Sequence, residues 1–386
     1  MLKKKGLMLQ LMLVFFVLFI GFYIPMTQRI PFLKSIGYSF ERMNVIFSIQ
    51  AALAFVYQMV FGYLCDKHRT IKKYFIGAMI IGSVGTYLMF SATQEAFYFH
   101  LLTMALMGSF LNLSVGLLDS WVLEIDPEIQ RNYGAVRAMG TLGWIVGGFV
   151  VTLVINYFGV GSLPLTYLVL SATVLLLTLN LKDAIKENHS TPLRIADMKQ
   201  LLFSKRYMIS VLILLFAMMI ANSDGLIVVM KMEELGASEF QKNFRFSSQA
   251  LVELPLLFLG AKLLDRFNLV KLLGFAIVLY AVRFIGFAYA PSANWMIVVA
   301  LLQALTFPIL MVVSKQIIFR ESPSHLRSSG QLFALAIYGG IGATIIPLIT
   351  NALIQIGGID FTLFALASMM LIPFLLVLYF LKIEKT

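Results

Sequence analysis

Cysteine and charge are both scarce in this sequence of 386 residues. The single cysteine, Cys65, excludes a disulfide framework and any metal site built from several thiolates. The four histidines stand far apart, without the paired spacing of metal ligands. Charged residues make up 13% of the chain, about half of the ~25% that is usual in soluble domains. These shortages exclude a soluble enzyme, a nucleic-acid-binding protein and a disordered scaffold.

Apolar residues make up 60% of the chain, whereas soluble domains are about 45–50% apolar. A soluble fold of this length could not bury so much apolar surface. A helix that crosses a bilayer needs about 20 residues, so about twelve such helices would use most of the chain. We therefore predict an all-α polytopic membrane protein with short loops.

Apolar runs separated by polar breaks predict twelve membrane-spanning helices. The predicted spans are 7–28, 44–64, 74–92, 97–123, 133–156, 163–181, 207–230, 245–264, 271–290, 295–318, 328–353 and 361–381. The longest polar stretch, 182–206, falls near the middle of the chain. It predicts an N-terminal six-helix bundle at 1–181, a cytoplasmic linker at 182–206 and a C-terminal six-helix bundle at 207–386.

Basic residues indicate which side of the membrane each loop occupies. Most of the 30 lysines and arginines fall at the two ends of the chain and on loops of the same side. Because cytoplasmic loops are enriched in these residues, both termini are predicted to be cytoplasmic. Arg29, Lys231 and Arg245 are among the few assigned to outer loops, and Arg137 and Arg283 fall inside spans.

A short charged motif recurs in both halves. Gly62 is followed by Asp66 and Lys67 after the second span, and Asp265 and Arg266 follow the eighth. The glycine would allow two helices to approach closely. The aspartate is expected near the N-terminus of the following helix, where its charge favours the helix dipole. We predict a gating loop whose contacts form in one state and break in another; the alternative is a loop that only sets topology.

Five charged residues stand out well inside the predicted spans, where each is costly unless it is paired or hydrated. Asp119 and Arg137 are equally far from the turn between them, which predicts that they lie at one depth on neighbouring helices and can pair. The same reasoning places Asp224, Glu253 and Arg283 at one level. The alternative is that these charges form structural ion pairs between helices.

The fifth span presents a mixed polar and aromatic face. Arg137, Thr141 and Trp144 follow helical spacing along one side, and a run of glycines follows the other. An indole beside a guanidinium suits the apolar face and hydroxyl edge of a sugar. A nucleobase would also stack there, and plain core packing is the remaining alternative.

Two amides inside spans extend the candidate site. Asn112 shares a face of the fourth span with Asp119, and Gln303 lies one turn before a break at Thr306 and Pro308 in the tenth. Both are predicted to bind a polar solute. The alternative for each is a hydrogen bond between helices.

The stretch from Asn112 to Trp144 resembles the same region of lactose-permease-type sugar/proton symporters of the major facilitator superfamily. The resemblance implies the major facilitator fold of twelve helices. It also implies that Asp119 and Arg137 bind the sugar while Trp144 stacks on it. Gly62 and Asp66 fit the loop of that family.

Other positions depart from the sugar permeases. The tenth span lacks their ionisable cluster, whereas Glu253 followed by Arg283 is more similar to nucleoside/proton symporters and phenylpropionate-permease-like proteins. Drug/proton antiporters of the superfamily carry a proline where this chain has Trp144, which favours uptake over export. The resemblance thus implies proton coupling through Glu253, with Arg283 and Asp224 beside it.

These features together predict a proton-coupled symporter that imports a small polar solute, a sugar or glycoside, by alternating access. A nucleoside or aromatic-acid symporter and a drug/proton exporter are the alternatives. No nucleophile with its base and no metal-ligand pattern is found, so an enzyme is not expected. We expect a monomer in the cell membrane, without a cofactor or nucleic acid, that uses H⁺; Na⁺ stays open as the coupling ion.

Overall fold

The computed structural model of the protein describes residues 2–184 and 198–384. Helices account for nearly all of these residues, and the two ranges contain no β-strand. The middle of the predicted linker, 185–197, lies outside the described residues. The predicted all-α fold is therefore confirmed for the described part of the chain.

Seventeen α-helices follow one another along the two described ranges. They are α1 (Leu2–Ser35), α2 (Phe40–His68), α3 (Lys72–Ser91), α4 (Phe97–Ile125), α5 (Pro127–Arg131), α6 (Tyr133–Phe158), α7 (Leu163–Leu179), α8 (Lys199–Phe203), α9 (Lys205–Asn222), α10 (Asp224–Glu234), α11 (Glu239–Arg266), α12 (Leu269–Ala288), α13 (Ala293–Ala300), α14 (Phe307–Glu321), α15 (Arg327–Leu335), α16 (Gly342–Met369) and α17 (Leu371–Glu384).

The helices divide into two compact units. The first comprises residues 2–184 together with Ser324–Ala336, and the second comprises 198–323 and 337–384. Helix α15 thus belongs to the first unit although it comes late in the sequence. The predicted bundle boundaries at 181 and 207 stay a prediction.

Ten helical segments are long and apolar enough to cross a membrane, by length and composition. Large apolar side chains also lie on the surface, among them Leu9, Phe149 and Leu348. Such an outer surface suits contact with lipid, because acyl chains are as apolar as these side chains. The count of twelve spans and the cytoplasmic position of both termini stay predictions.

Several of the long helices are interrupted. Helix α9 ends at Asn222 and α10 begins at Asp224, so this span is broken at Ser223. Between α13 and α14 the chain forms the short 3₁₀-helix Leu301–Leu305. Gly358 has a φ of 77°, which lies outside the helical region, so α16 bends at this residue. Glycine suits the position because it has no Cβ and adopts positive φ without strain. The first two breaks place polar side chains inside the second unit.

A reciprocal contact joins α3 to the end of α7. The Asp183 carboxylate accepts hydrogen bonds from the backbone N–H groups of Ile71 and Lys72, both at 3.0 Å. In return, Lys72 Nζ donates to the carbonyl oxygens of Leu179 at 2.6 Å and Leu181 at 2.9 Å. These five residues, the α3–α7 clasp, satisfy backbone groups at one helix start and one helix end.

Candidate functional site

Glycines on α6 allow α1 to pack closely against it. A Cβ at Gly143 would collide with the carbonyl oxygen of Phe16, and one at Gly147 would lie 2.7 Å from Tyr23 Cβ. The close packing predicted for the glycine side of the fifth span is therefore confirmed. It brings the aromatic side chains of α1 beside the polar face of α6.

The polar face of α6 is lined by aromatic rings from α1. The Arg137 guanidinium lies 4.3 Å from the Phe19 ring centroid, and the Trp144 ring lies 4.9 Å from that of Tyr23. Arg137 and Trp144 are both partly exposed. Among the described contacts, Arg137 makes ring contacts but no hydrogen bond, so its N–H donors stay available for a ligand.

Asp119 and Arg137 do not form the ion pair that the sequence predicted. In the described part of the chain, Asp119 accepts a hydrogen bond of 2.8 Å from Tyr133 Oη, and the Arg137 guanidinium lies over Phe19 instead. The prediction of this pairing was wrong. Equal depth does not determine which neighbour a side chain faces, and α1 contributes the rings that Arg137 contacts.

A narrow face of α4 is partly exposed. Between Met107 and Ile125 every residue is buried except Asn112 and Val115, and Asp119 follows one turn later on that face. Thr141 on α6 is also partly exposed. The predicted solute-binding residues of the first unit therefore lie on or next to accessible faces of α4 and α6.

The second unit contains a carboxylate between two buried guanidinium groups. Arg245 Nη2 lies 2.6 Å from Asp224 Oδ1, and Arg283 Nη2 lies 3.0 Å from Asp224 Oδ2. The arginine side chains are 0% and 1% exposed. Gln249 adds a weaker hydrogen bond of 3.4 Å to the same carboxylate. This arrangement pairs both buried cations with one acid, as burial of a charge requires.

An amide joins this ion-pair cluster to a second acid. Arg283 Nη1 donates to Gln303 Oε1 at 2.5 Å and to Thr306 Oγ1 at 2.9 Å. Gln303 Nε2 donates to Glu253 Oε1 at 2.8 Å. The predicted common level of Asp224, Glu253 and Arg283 is confirmed. Gln303, predicted to bind solute, lies in this network.

Sequence reasoning missed Arg245. It assigned this residue to an outer loop, but Arg245 is fully buried within α11. Arg29 and Lys231 were likewise assigned to loops and lie inside α1 and α10. Distance from the turn gave only a weak signal, because Asp224 lies ten residues before the end of α10 and Arg245 six residues after the start of α11.

The Asp66 carboxylate contacts the N-terminus of α15. It accepts hydrogen bonds from the backbone N–H groups of Ser328 at 3.2 Å and Ser329 at 2.6 Å, and from Ser329 Oγ at 2.6 Å. The expectation that Asp66 lies near the N-terminus of the following helix was wrong. Asp66 lies in the last turn of α2, and Asp183 caps α3 instead.

Gly62 permits this contact between α2 and α15. A Cβ at Gly62 would lie 3.0 Å from Ser329 Cα and 3.2 Å from the Ser328 carbonyl oxygen. The close approach predicted from this glycine is confirmed. Glu124 of α4 also accepts a hydrogen bond of 2.8 Å from Ser328 Oγ. The two serines are therefore held by acids from two helices, which sequence reasoning did not foresee.

The second copy of the motif has different surroundings. Asp265 and Arg266 are exposed at the end of α11, and Asn268 caps α12 through the N–H groups of residues 270 and 271. Lys67, in the first copy, lies 5.5 Å from the Tyr63 ring centroid. The gating role of both copies stays a prediction.

Replacing Asp66 with alanine is expected to lower the free energy of unfolding by about 1–3 kcal/mol, because buried N–H groups of α15 lose their acceptor. The midpoint of thermal unfolding of the purified protein in detergent measures this change. Asp265→Ala is the matched control, since that carboxylate is exposed, and should leave the midpoint nearly unchanged. Equal shifts for the two variants would contradict the capping role.

Among the described residues, no group of three His, Cys, Asp or Glu side chains could hold a metal ion. The groups that these residues present are carboxylates, amides, hydroxyls and guanidinium groups, all of which form hydrogen bonds with polar molecules.

Comparisons with known proteins place this arrangement in context. The model of the MFS_1 like family matches residues 7–376. Maltose permease of Geobacillus stearothermophilus is 23% identical over 348 residues, covering 88% of this chain and 86% of that protein. Among solved structures, the E. coli fucose:proton symporter FucP aligns with a TM-score of 0.79 at 15% identity, covering 97% and 98% of the two chains. The nucleoside transporter NupG aligns with a TM-score of 0.64 at 17% identity, covering 97% and 99%.

Proposed function

We propose that this chain, which belongs to the MFS_1 like family of the major facilitator superfamily, imports a sugar or glycoside together with a proton. The members of that superfamily are membrane transporters and not enzymes. Transport follows alternating access. The proposed solute residues lie on α4 and α6, and the proposed proton carrier is Glu253 on α11. The proposed location is the cell membrane.

The contrast between the two acids of this cluster supports the proton assignment. A proton on Asp224 would disrupt its ion pairs with both Arg245 and Arg283. Glu253 accepts a hydrogen bond of 2.8 Å from the uncharged amide of Gln303 and belongs to neither of those two ion pairs, so a proton there disrupts neither of them. This difference is the observation that carries the proposal. A group that exchanges protons during transport must change charge without dismantling the helix contacts around it.

The sugar assignment rests on the accessible face of α6. Arg137 offers hydrogen-bond donors to hydroxyl groups, and Trp144 offers a flat ring to an apolar sugar face. Asn112, Thr141 and Asp119 add polar groups on and beside the accessible faces. The relatives named for maltose and fucose align with most of this chain, which favours the same substrate class.

A nucleoside is the second candidate solute. Phe22 lies 6.2 Å from Trp144 between ring centroids, and Tyr23 lies 4.9 Å away, so aromatic surface is plentiful where a base could stack. The fold likeness to NupG is compatible with this alternative. An aromatic acid would instead pair its carboxylate with Arg137. Outward pumping in everted vesicles would favour the third candidate, a drug/proton exporter.

A stabilisation screen of the purified protein tests the proposal. Three classes of compound are added in separate assays: sugars (maltose and fucose among them), nucleosides and phenylpropanoids. Each assay is run at two pH values, with and without sodium. A sugar present at 100 times its Kd should stabilise the protein by about 2.7 kcal/mol. A shift produced by nucleosides but by no sugar would replace the first candidate with the second.

Arg137→Ala should weaken binding of the stabilising sugar at least about tenfold, because it removes charged hydrogen-bond donors. The thermal shift as a function of sugar concentration measures the change. Arg42→Ala is the matched control, since Arg42 pairs with Glu95 at the exposed start of α2. An unchanged concentration dependence in Arg137→Ala would contradict a solute-binding role for this residue.

A further inference from the structure

We propose that Gln303 transmits the protonation state of Glu253 to Arg283. The proposal deepens, and rests on, the proton-carrying role proposed above for Glu253. Gln303 lies between the two residues and contacts both. Its Oε1 accepts from Arg283 Nη1, and its Nε2 donates to Glu253 Oε1 at 2.8 Å. A single neutral side chain therefore connects the proposed proton carrier to the buried cation.

The orientation of this amide suits an ionised Glu253. A guanidinium has donors only, so the Gln303 atom that faces Arg283 must be the acceptor Oε1. The NH₂ group then faces Glu253, whose carboxylate accepts. Both ends of the amide are satisfied in this state, and neither end could be reversed without placing two donors or two acceptors together.

A proton taken from water weakens these bonds. Protonated Glu253 keeps an acceptor oxygen beside its O–H group, so the Gln303 amide keeps its orientation. The hydrogen bond from Gln303 Nε2 then ends on a neutral carboxyl instead of a carboxylate, and a bond without that charge is about half as strong. The amide is less polarised, so its Oε1 becomes a weaker acceptor for Arg283 Nη1. Arg283 keeps its contacts with Thr306 at 2.9 Å and Asp224 at 3.0 Å.

The location of Gln303 links this change in its hydrogen bonds to the backbone. Gln303 belongs to the 3₁₀-helix Leu301–Leu305, and Thr306 follows it with φ −111° and ψ −76° before α14 begins. Short 3₁₀ stretches within a long helix often mark hinges. Both neutral partners of Arg283, Gln303 and Thr306, lie at this break. Protonation of Glu253 therefore alters the contacts that α12 makes with the break between α13 and α14.

The other charged and titratable groups of the cluster hold Arg283 in place while its hydrogen bond to Gln303 weakens. Arg245, on α11, stays paired with Asp224 of α10 at 2.6 Å, so this carboxylate keeps one cation throughout. Tyr280 of α12 places its ring 5.1 Å from the Arg283 guanidinium. Protonation of Glu253 therefore weakens one hydrogen bond of Arg283 and leaves its ion pair with Asp224 intact.

Infrared difference spectroscopy of the purified protein tests the proposal without any solute. Acidification of protein with ¹³C-labelled arginine should produce a protonated-carboxyl band, absent in Glu253→Gln, and a guanidinium shift, absent in Arg283→Lys. In Gln303→Leu and Gln303→Met the carboxyl band should persist, while the guanidinium shift falls at least about threefold. Size-exclusion profiles identify which variants are folded. Gln303→Met is included because methionine keeps the length of the native side chain without its amide.

Gln249→Leu is the matched control. Gln249 is also a buried amide of the cluster and donates to Asp224 at 3.4 Å, but it does not bridge Glu253 and Arg283. Both bands should remain in this variant. A full guanidinium shift in the Gln303 variants would overturn the transmitting role alone. A carboxyl band that persists in Glu253→Gln would overturn both the transmitting role of Gln303 and the assignment of Glu253 as proton carrier. If all bands behave as expected but the unaltered protein shows no proton-coupled uptake, only the proposed function is rejected.

Discussion

Replacing Asp224 with asparagine is expected to lower the free energy of unfolding by about 3–5 kcal/mol, the usual loss when one partner of a buried ion pair is removed. Asp224 is the carboxylate that both Arg245 and Arg283 contact in the described part of the chain. The variant leaves two guanidinium groups buried without a matching negative charge. The midpoint of thermal unfolding in detergent measures the loss.

Two further variants make this result specific. Asp360→Asn removes the half-exposed partner of Lys231 in the same unit, so it should cause a much smaller shift. Adding Arg245→Leu to Asp224→Asn removes one of the uncompensated cations and should recover part of the lost stability. A double variant less stable than Asp224→Asn alone would show that Arg245 stabilises the protein by packing rather than by charge.

Glu253→Gln is expected to abolish uphill uptake of the sugar that stabilises the protein. One proton driven inward by 100 mV supplies about 2.3 kcal/mol, so accumulation should fall about 50-fold, to equality across the membrane. Glutamine keeps a hydrogen-bonding group at this position but cannot carry the proton. Uptake into proteoliposomes with an imposed membrane potential measures the loss.

Exchange of labelled for unlabelled sugar needs no net proton movement, so counterflow should survive in Glu253→Gln. Glu95→Gln serves as the control, because Glu95 belongs to the first unit and pairs with Arg42 near the exposed start of α2. It should accumulate sugar like the unaltered protein. Undiminished accumulation by Glu253→Gln would reject Glu253 as the proton carrier.

The all-helical fold was predictable because lipid demands long apolar helices, and such helices are visible in composition alone. The interruption before α14 was also visible, since Pro308 lacks a backbone N–H and suits the start of a helix. The break at Ser223 carries no proline. The packing of α15 in the first unit could not be foreseen, because it depends on contacts such as Asp66 with Ser329 that span 263 positions.

Depth along a helix was easier to predict than direction around it. Distance from a turn correctly placed Asp224 and Arg283 together, because it sets how far each residue lies along its helix. The same argument failed for Asp119 and Arg137, since rotation about the helix axis and the rings of α1 decide their contacts. Arg245 was overlooked because its span was taken to begin at that residue.

The α3–α7 clasp bears on where foreign sequence can be introduced for imaging. Asp183 and Lys72 tie the chain to α3 up to Ala184, whose own N–H also reaches the Asp183 carboxylate at 2.7 Å. An antibody epitope or fluorescent tag inserted after Ala184 leaves those bonds in place. The same insert between Leu179 and Asp183 separates the carboxylate from the end of α7 and so disrupts the clasp, which is why the insertion site should lie downstream.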